Sequence, residues 1–139
     1  MMNLDFFKKV RILDGGMGQE LLARGMKPKG TLWSASALID EKYHKLLFNT
    51  HIDFIKAGAE VIVTTTFASR KIRLVENNCE NKFEYINRKA GEIAKKTKDQ
   101  FPNVLIAGGL PPQNLTYRAD NRPDNEIRND FLDQAELIE

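Results

Sequence analysis

The chain has 139 residues, 42% hydrophobic and 29% charged, which is the length and balance of a single globular domain with enough apolar material for a core. Lys and Arg number 21 against 19 Asp and Glu, and the resulting formal charge of +2 is too weak a bias to argue for nucleic acid or a membrane surface as a partner. A lone cysteine, Cys79, excludes an internal disulfide and a cysteine-rich metal cluster; with no bilayer-length apolar run and no signal-peptide pattern, a reducing, cytoplasmic setting is expected.

Residues Met1 to Lys9 form an amphipathic lead-in whose Leu4, Phe6 and Phe7 are available to cover an open end of a core. Val10 to Leu13 reads as a short buried strand that ends on a carboxylate, Asp14. Gly15, Gly16 and Gly18 follow, allowing a tight turn and a close approach to the main chain. Asp14 at such a turn either stands at the mouth of a pocket, where it fixes a cationic group, or caps the next helix. That helix spans Gln19 to Arg24, with Gly25 as its terminating residue. Met26 to Thr31 is a loop, and Trp33 in the apolar, small-residue stretch Leu32 to Leu38 is expected to pack over one end of the core.

Asp40 is placed to cap a helix in which Tyr43, Leu47, Phe54 and Ala57 recur at helical spacing, with Gly58 closing it. His51 lies beside that apolar stripe and reads as a hydrogen-bonded packing histidine rather than a ligand. Glu60 to Phe67 is the second strand, β-branched almost throughout. Its change from aliphatic residues to Thr64, Thr65 and Thr66 suggests a strand passing from core into a polar cavity, although threonine is also simply a good strand former. A helical region from Ser69 breaks near Asn77-Asn78-Cys79. Its second part sets Phe83, Ile86, Ala90, Ile93, Ala94 and Thr97 on one face, and the lysines and Arg88 form a solvated face. Cys79 has no basic or histidine neighbour in sequence and reads as a bystander thiol.

Pro102-Asn103 ends the helix, and Val104 to Ala107 makes a third strand that runs into Gly108-Gly109. Thr116 to Asn125 is loop, and a last helix from Asn125 carries Ile127, Phe131, Ala135 and Ile138 on one side. Strands alternating with helices of crossover length predict parallel strands in an α/β architecture. All three strands carry their unusual residues at their C-terminal ends, the face on which a (β/α) barrel builds its active site. An open doubly wound sheet is the competing architecture, but Gly15-Gly16-Met17-Gly18 does not match the dinucleotide-binding spacing.

Four blocks then stand in order: Leu13-Asp14-Gly15-Gly16-Met17-Gly18-Gln19-Glu20-Leu21, Leu32-Trp33-Ser34-Ala35, His51 through Ala57-Gly58-Ala59, and Thr64-Thr65-Thr66-Phe67. Together with Ala107-Gly108-Gly109-Leu110-Pro111-Pro112 they resemble the N-terminal half of the homocysteine S-methyltransferase family. The resemblance implies an α/β fold of the (β/α)8 TIM-barrel type, of which residues 1–139 hold about the first three βα units. It implies transfer of a methyl group from a donor to the thiol of homocysteine, giving methionine, with a zinc ion on three cysteine thiolates stabilising the substrate thiolate. By the same resemblance Asp14 would hold the substrate's amino group, the backbone at Gly15 and Gly16 would leave room for it, and Thr64, Thr66 and Phe67 would line the pocket.

Gln19 stands where the family usually has Thr, and Gly109 and Pro111 replace its Ser and Gly. The family's zinc cysteines lie in later Gly-x-Asn-Cys-like and Gly-Gly-Cys-Cys-like motifs, neither of which occurs here. The chain is thus expected to be the N-terminal part of such an enzyme, truncated or split, with no zinc bound to it alone and no activity of its own. The alternative is a non-catalytic half-barrel that self-associates through its exposed strand edges or docks on a partner chain.

Overall fold

A computed structural model describes residues 4–139. Its helices are α1 (Met17–Ala23), α2 (Ser36–Ile39), α3 (His44–Lys56), α4 (Lys71–Val75), α5 (Phe83–Gln100) and α6 (Asp124–Ile138). Its strands are β1 (Val61–Val63) and β2 (Leu105–Ala107), paired in parallel with Ile62 opposite Ile106. A single parallel bridge joins Leu13 to Val61 on the other side of β1. The order in space, Leu13 then β1 then β2, follows the order in sequence, and α3 and α5 make the crossovers between them.

The α/β character and the parallel pairing expected from the sequence are present, but the strands are shorter than expected. Val10 to Leu13 is not a buried strand: Val10 is 95% exposed, and Ile12 and Leu13 are more than half exposed. Only one side of this segment meets a partner, where Ile12 O accepts from the Glu60 and Val61 N–H groups and Asp14 N donates to Val61 O. The Arg11 guanidinium, bonded to Glu60 and to Phe6 O, fixes its outer end. The expected strand Glu60 to Phe67 stops at Val63, because from Thr64 on the hydroxyls of Thr64 and Thr66 bond to the backbone at Gly109 and the ladder ends.

In the lead-in, Met1–Asn3 lie outside the described residues, and Leu4–Lys8 forms a short 3-10 helix that does not cover the core. Leu4 and Phe7 are exposed, and Phe6 lies against Phe7 and beneath the Arg11 guanidinium.

The helix predictions fare better. Gly25 sits at φ +93° just beyond α1, the left-handed conformation that ends a helix without a Cβ clash. Asp40 accepts from Lys42 N and caps a one-turn 3-10 helix leading into α3. The break after α4 falls at Asn78, in left-handed backbone. Cys79 is buried with its thiol toward Leu74 O, and burial pushes the thiol pKa up, as suits a bystander.

The main core lies among the helices, where Leu21, Leu32, Leu38, Leu47, Leu74 and Ile86 are fully buried. A smaller cluster of Ile62, Ala94 and Val104 packs α5 against the sheet. No helix among the described residues is long and apolar enough to cross a membrane.

A buried polar network ties α6 to this frame. The Gln134 amide, fully buried, donates to Thr66 O and to Asn87 Oδ1 of α5 and accepts from Gln113 Nε2. Asn87 in turn donates to Ser69 O and Phe83 O. Every apolar residue expected on the inner side of α6 is only half-buried, so this glutamine is the helix's one fully buried anchor.

Candidate functional site

The C-terminal ends of the parallel strands open into a cavity of about 650 Å³. Its walls come from the turn Leu13 to Gly18, from Trp33 and Ser34, from Val63 to Thr65 with Phe67, and from Arg73, Thr116 and Tyr117. Asp14, Gly15, Gly16, Thr64 and Phe67, singled out from the sequence, are all brought together here. Thr66 is not on the wall. It is fully buried beneath it, where its hydroxyl donates to Gly109 O at 2.5 Å and meets Thr64 Oγ1 at 3.0 Å. Gly109 N closes the set on Thr64 Oγ1 at 2.9 Å, so the threonines lock the end of β1 to the end of β2.

Asp14 is held by its neighbour strand and not by its own helix. Its Oδ2 accepts from Val63 N at 3.0 Å, and α1 has no side-chain cap, which sets aside the capping role left open by the sequence. Its side chain is 5% exposed. Burial raises the carboxyl pKa, while the Val63 N–H bond pulls it back down. A buried carboxylate with no cationic side chain hydrogen-bonded to it, at the wall of a cavity, is poised to take a ligand's cation.

The glycines of the turn serve close packing. Gly16 has φ −68°, and neither Gly15 nor Gly18 has positive φ. A Cβ on Gly15 would fall 2.8 Å from the Phe54 ring, and one on Gly18 would fall 2.5 Å from the Trp33 indole. Gly16 faces open space, with nothing nearer than 4.0 Å.

Trp33 was expected over one end of the core and lies instead in the cavity wall, 38% exposed, at φ +43°. Its ring meets that of Phe67 edge to face at 6.4 Å. A tryptophan in left-handed backbone has no signal in sequence, since the local pattern Leu32 to Leu38 reads only as apolar. Arg70, also missed, is 1% exposed and supports Phe67 from behind: its guanidinium donates to Phe67 O and to Thr116 Oγ1, each at 3.0 Å. Thr65 Oγ1 is buried at the cavity without a protein hydrogen-bond partner.

His51 is buried, as expected of a packing residue, but neither ring nitrogen has a hydrogen bond. Its Nδ1 lies 3.9 Å from Asp14 Oδ2, and burial lowers its pKa to about 4, so the ring is neutral.

Among the described residues no group of three or more His, Cys, Asp or Glu side chains converges to hold a metal. Cys79 lies in the helical core cluster, not on the cavity wall. The residues present do not fit a zinc centre.

A model of the homocysteine S-methyltransferase family matches residues 11–139. A homocysteine S-methyltransferase of Escherichia coli K12 is 28% identical over 138 residues, which covers 94% of this chain and 43% of that protein. The S-methylmethionine–homocysteine S-methyltransferase BHMT2 of Rattus norvegicus is 32% identical over 124 residues, 88% of this chain and 31% of its own length. In space, the chain resembles the crystal structure of the homocysteine methyltransferase MmuM from Escherichia coli in its metallated form, with a TM-score of 0.71 and 25% identity over 94% of this chain and 53% of that one. The chain thus spans about half of that structure and less than half of these curated relatives. With the family's pattern running from residue 11 to residue 139, the chain belongs to the homocysteine S-methyltransferase family.

Proposed function

We propose that residues 1–139 are the N-terminal part of a (β/α)8 barrel domain of a zinc-dependent enzyme that methylates the thiol of homocysteine to form methionine. In this reading the chain supplies the pocket for the amino-acid end of the substrate. The observation that carries it is Asp14: a carboxylate 5% exposed, anchored by Val63 N–H, on the wall of a cavity at the C-terminal strand ends. The ammonium group of homocysteine compensates the buried charge, Gly15 and Gly16 give its backbone atoms room, and Thr64 and Phe67 bound the pocket. Thr66 acts from behind, by holding Thr64 and Gly109 in place. Because the residues here do not fit zinc, activation of the thiol is assigned to groups outside this chain, and the chain alone binds substrate without turning it over.

Isothermal titration calorimetry with L-homocysteine tests this. The parent chain is expected to bind, and Asp14→Asn to weaken binding at least tenfold, the range for a hydrogen bond to a charged group. Equal affinity of the two proteins would sink the assignment.

A second reading, a non-catalytic half-barrel that self-associates or docks on a partner, draws on the exposure of Val10, Ile12 and Leu13 along the outer edge of the sheet. Sedimentation velocity separates the two, since a monodisperse monomer at high concentration removes self-association.

A further inference from the structure

His51 presents an unusual pair of facts. Its side chain is 1% exposed, and neither ring nitrogen finds a hydrogen-bond partner. Leaving a buried donor unpaired costs about 1–3 kcal/mol, so a histidine held this way needs a reason that packing alone does not supply. Leucine or phenylalanine would fill the same space in α3 without that cost. Asp14 Oδ2 lies 3.9 Å from Nδ1, roughly one ångström beyond hydrogen-bonding distance. The same oxygen accepts from Val63 N, so two groups approach one carboxylate atom, and of these His51 is not part of the cavity wall.

We infer that His51 is a positioning residue for Asp14, a neutral ring that turns its Nδ1–H toward Oδ2 and closes to a hydrogen bond when a cationic ligand meets the carboxylate from the cavity. This rests on the reading of Asp14 as the amine anchor. The physical basis is that burial works against the ionised carboxyl, whereas an ammonium ligand favours it, so binding raises the ionised share. An ionised oxygen is the stronger acceptor, and charge-assisted bonds are shorter. Ligand binding thus supplies what makes the open contact contract, and Val63 N–H and His51 Nδ1–H together fix which way the carboxylate faces. His51 never touches the ligand. Its effect is on affinity, through orientation.

The chain has two histidines, which makes the test direct. Long-range 1H–15N correlation spectra of the labelled full chain at neutral pH give the tautomer of each ring, with assignment by His51→Phe. The expected result is a neutral His51 protonated on Nδ1, whose Nδ1 resonance shifts in Asp14→Asn and again on adding L-homocysteine to the parent. A ring protonated on Nε2, or one indifferent to Asp14→Asn, overturns the inference; where His51→Phe folds poorly, His44→Gln gives the assignment by elimination, and the parent spectrum then decides the tautomer. In calorimetry, His51→Phe is expected to weaken homocysteine binding roughly tenfold and His51→Gln, which keeps a donor, to recover part of it. If Asp14→Asn loses binding while His51→Phe keeps the parent affinity, the positioning role fails and the amine anchor stands. If Asp14→Asn binds as the parent does, the anchor itself fails.

Discussion

Gly18 and Trp33 are in direct register: a Cβ on Gly18 would lie 2.5 Å from the indole Cε2. The two residues fix the cavity wall together, since the indole fits only while position 18 lacks a side chain. Gly18→Ala is therefore expected to lose about 2–3 kcal/mol, the scale of an overpacked interior, as the indole or α1 is displaced. Gly16→Ala, two residues earlier in the same turn and with nothing nearer than 4.0 Å to its added Cβ, should stay within about 0.5 kcal/mol. Urea denaturation of the two variants checks the contrast, and equal effects would contradict it.

That same indole is the chain's one tryptophan. Standing in the cavity wall at 38% exposure, it reports occupancy without a label. Addition of L-homocysteine is expected to shift its emission to shorter wavelength as water leaves the wall, with saturation at the calorimetric affinity. In Asp14→Asn the shift should need a far higher concentration. An emission spectrum unmoved at saturating ligand would show that the amino acid binds elsewhere.

The Asp14–His51 pair has a pH signature of two opposite signs. His51 folds with its pKa lowered from 6.5 to about 4, so between those values the unfolded chain binds more protons. Its contribution to stability is present above pH 6.5 and is lost as pH falls through about 4, amounting to about 3 kcal/mol at most. Asp14 has a raised pKa, so its contribution is present below its unfolded value and is lost as pH rises through its folded one. Urea midpoints measured across this range should rise with pH in the parent and flatten in His51→Phe, while Asp14→Asn should steepen the rise.

Gln134 makes three hydrogen bonds from a fully buried position. Gln134→Leu, close in volume, leaves Thr66 O, Asn87 Oδ1 and Gln113 Nε2 each without that partner. A loss of about 2–4 kcal/mol is expected, together with weaker homocysteine binding as the Thr64–Thr66 turn loosens. A loss below about 1 kcal/mol in urea titration would mean that the network is not holding the turn.

What was legible in the sequence follows from which forces are local. Helix periodicity in α3 and α5, the stop at Gly25 and the break at Asn78 depend on neighbours in the chain, and they stand where the pattern put them. The Asp14 turn and the threonine run at the end of β1 were found because strand ends change composition abruptly. The apolar run Val10 to Leu13 misled, because its residues are strand formers whose exposure depends on what lies beside them. The backbone of Trp33, the turn of Thr66 away from the cavity and the anchor at Gln134 are products of long-range packing. Gln134 in particular stands as a polar letter in an otherwise apolar stripe, and its partners lie 21, 47 and 68 residues earlier in the chain.

That separation bears on the order of events during folding. The contacts between α3 and β1 join nearby segments and are cheap in loop-closure entropy, whereas the amide bond from Gln134 to Thr66 closes a long loop. Pairing of the strand segments can thus precede the arrival of α6, and during that interval the Thr66 carbonyl faces solvent. The pocket's rigid floor is then a late acquisition, formed only when α6 docks. Protection of the amides around Thr64 to Phe67 from hydrogen exchange should appear after that of α5 and match the rate at which α6 is secured.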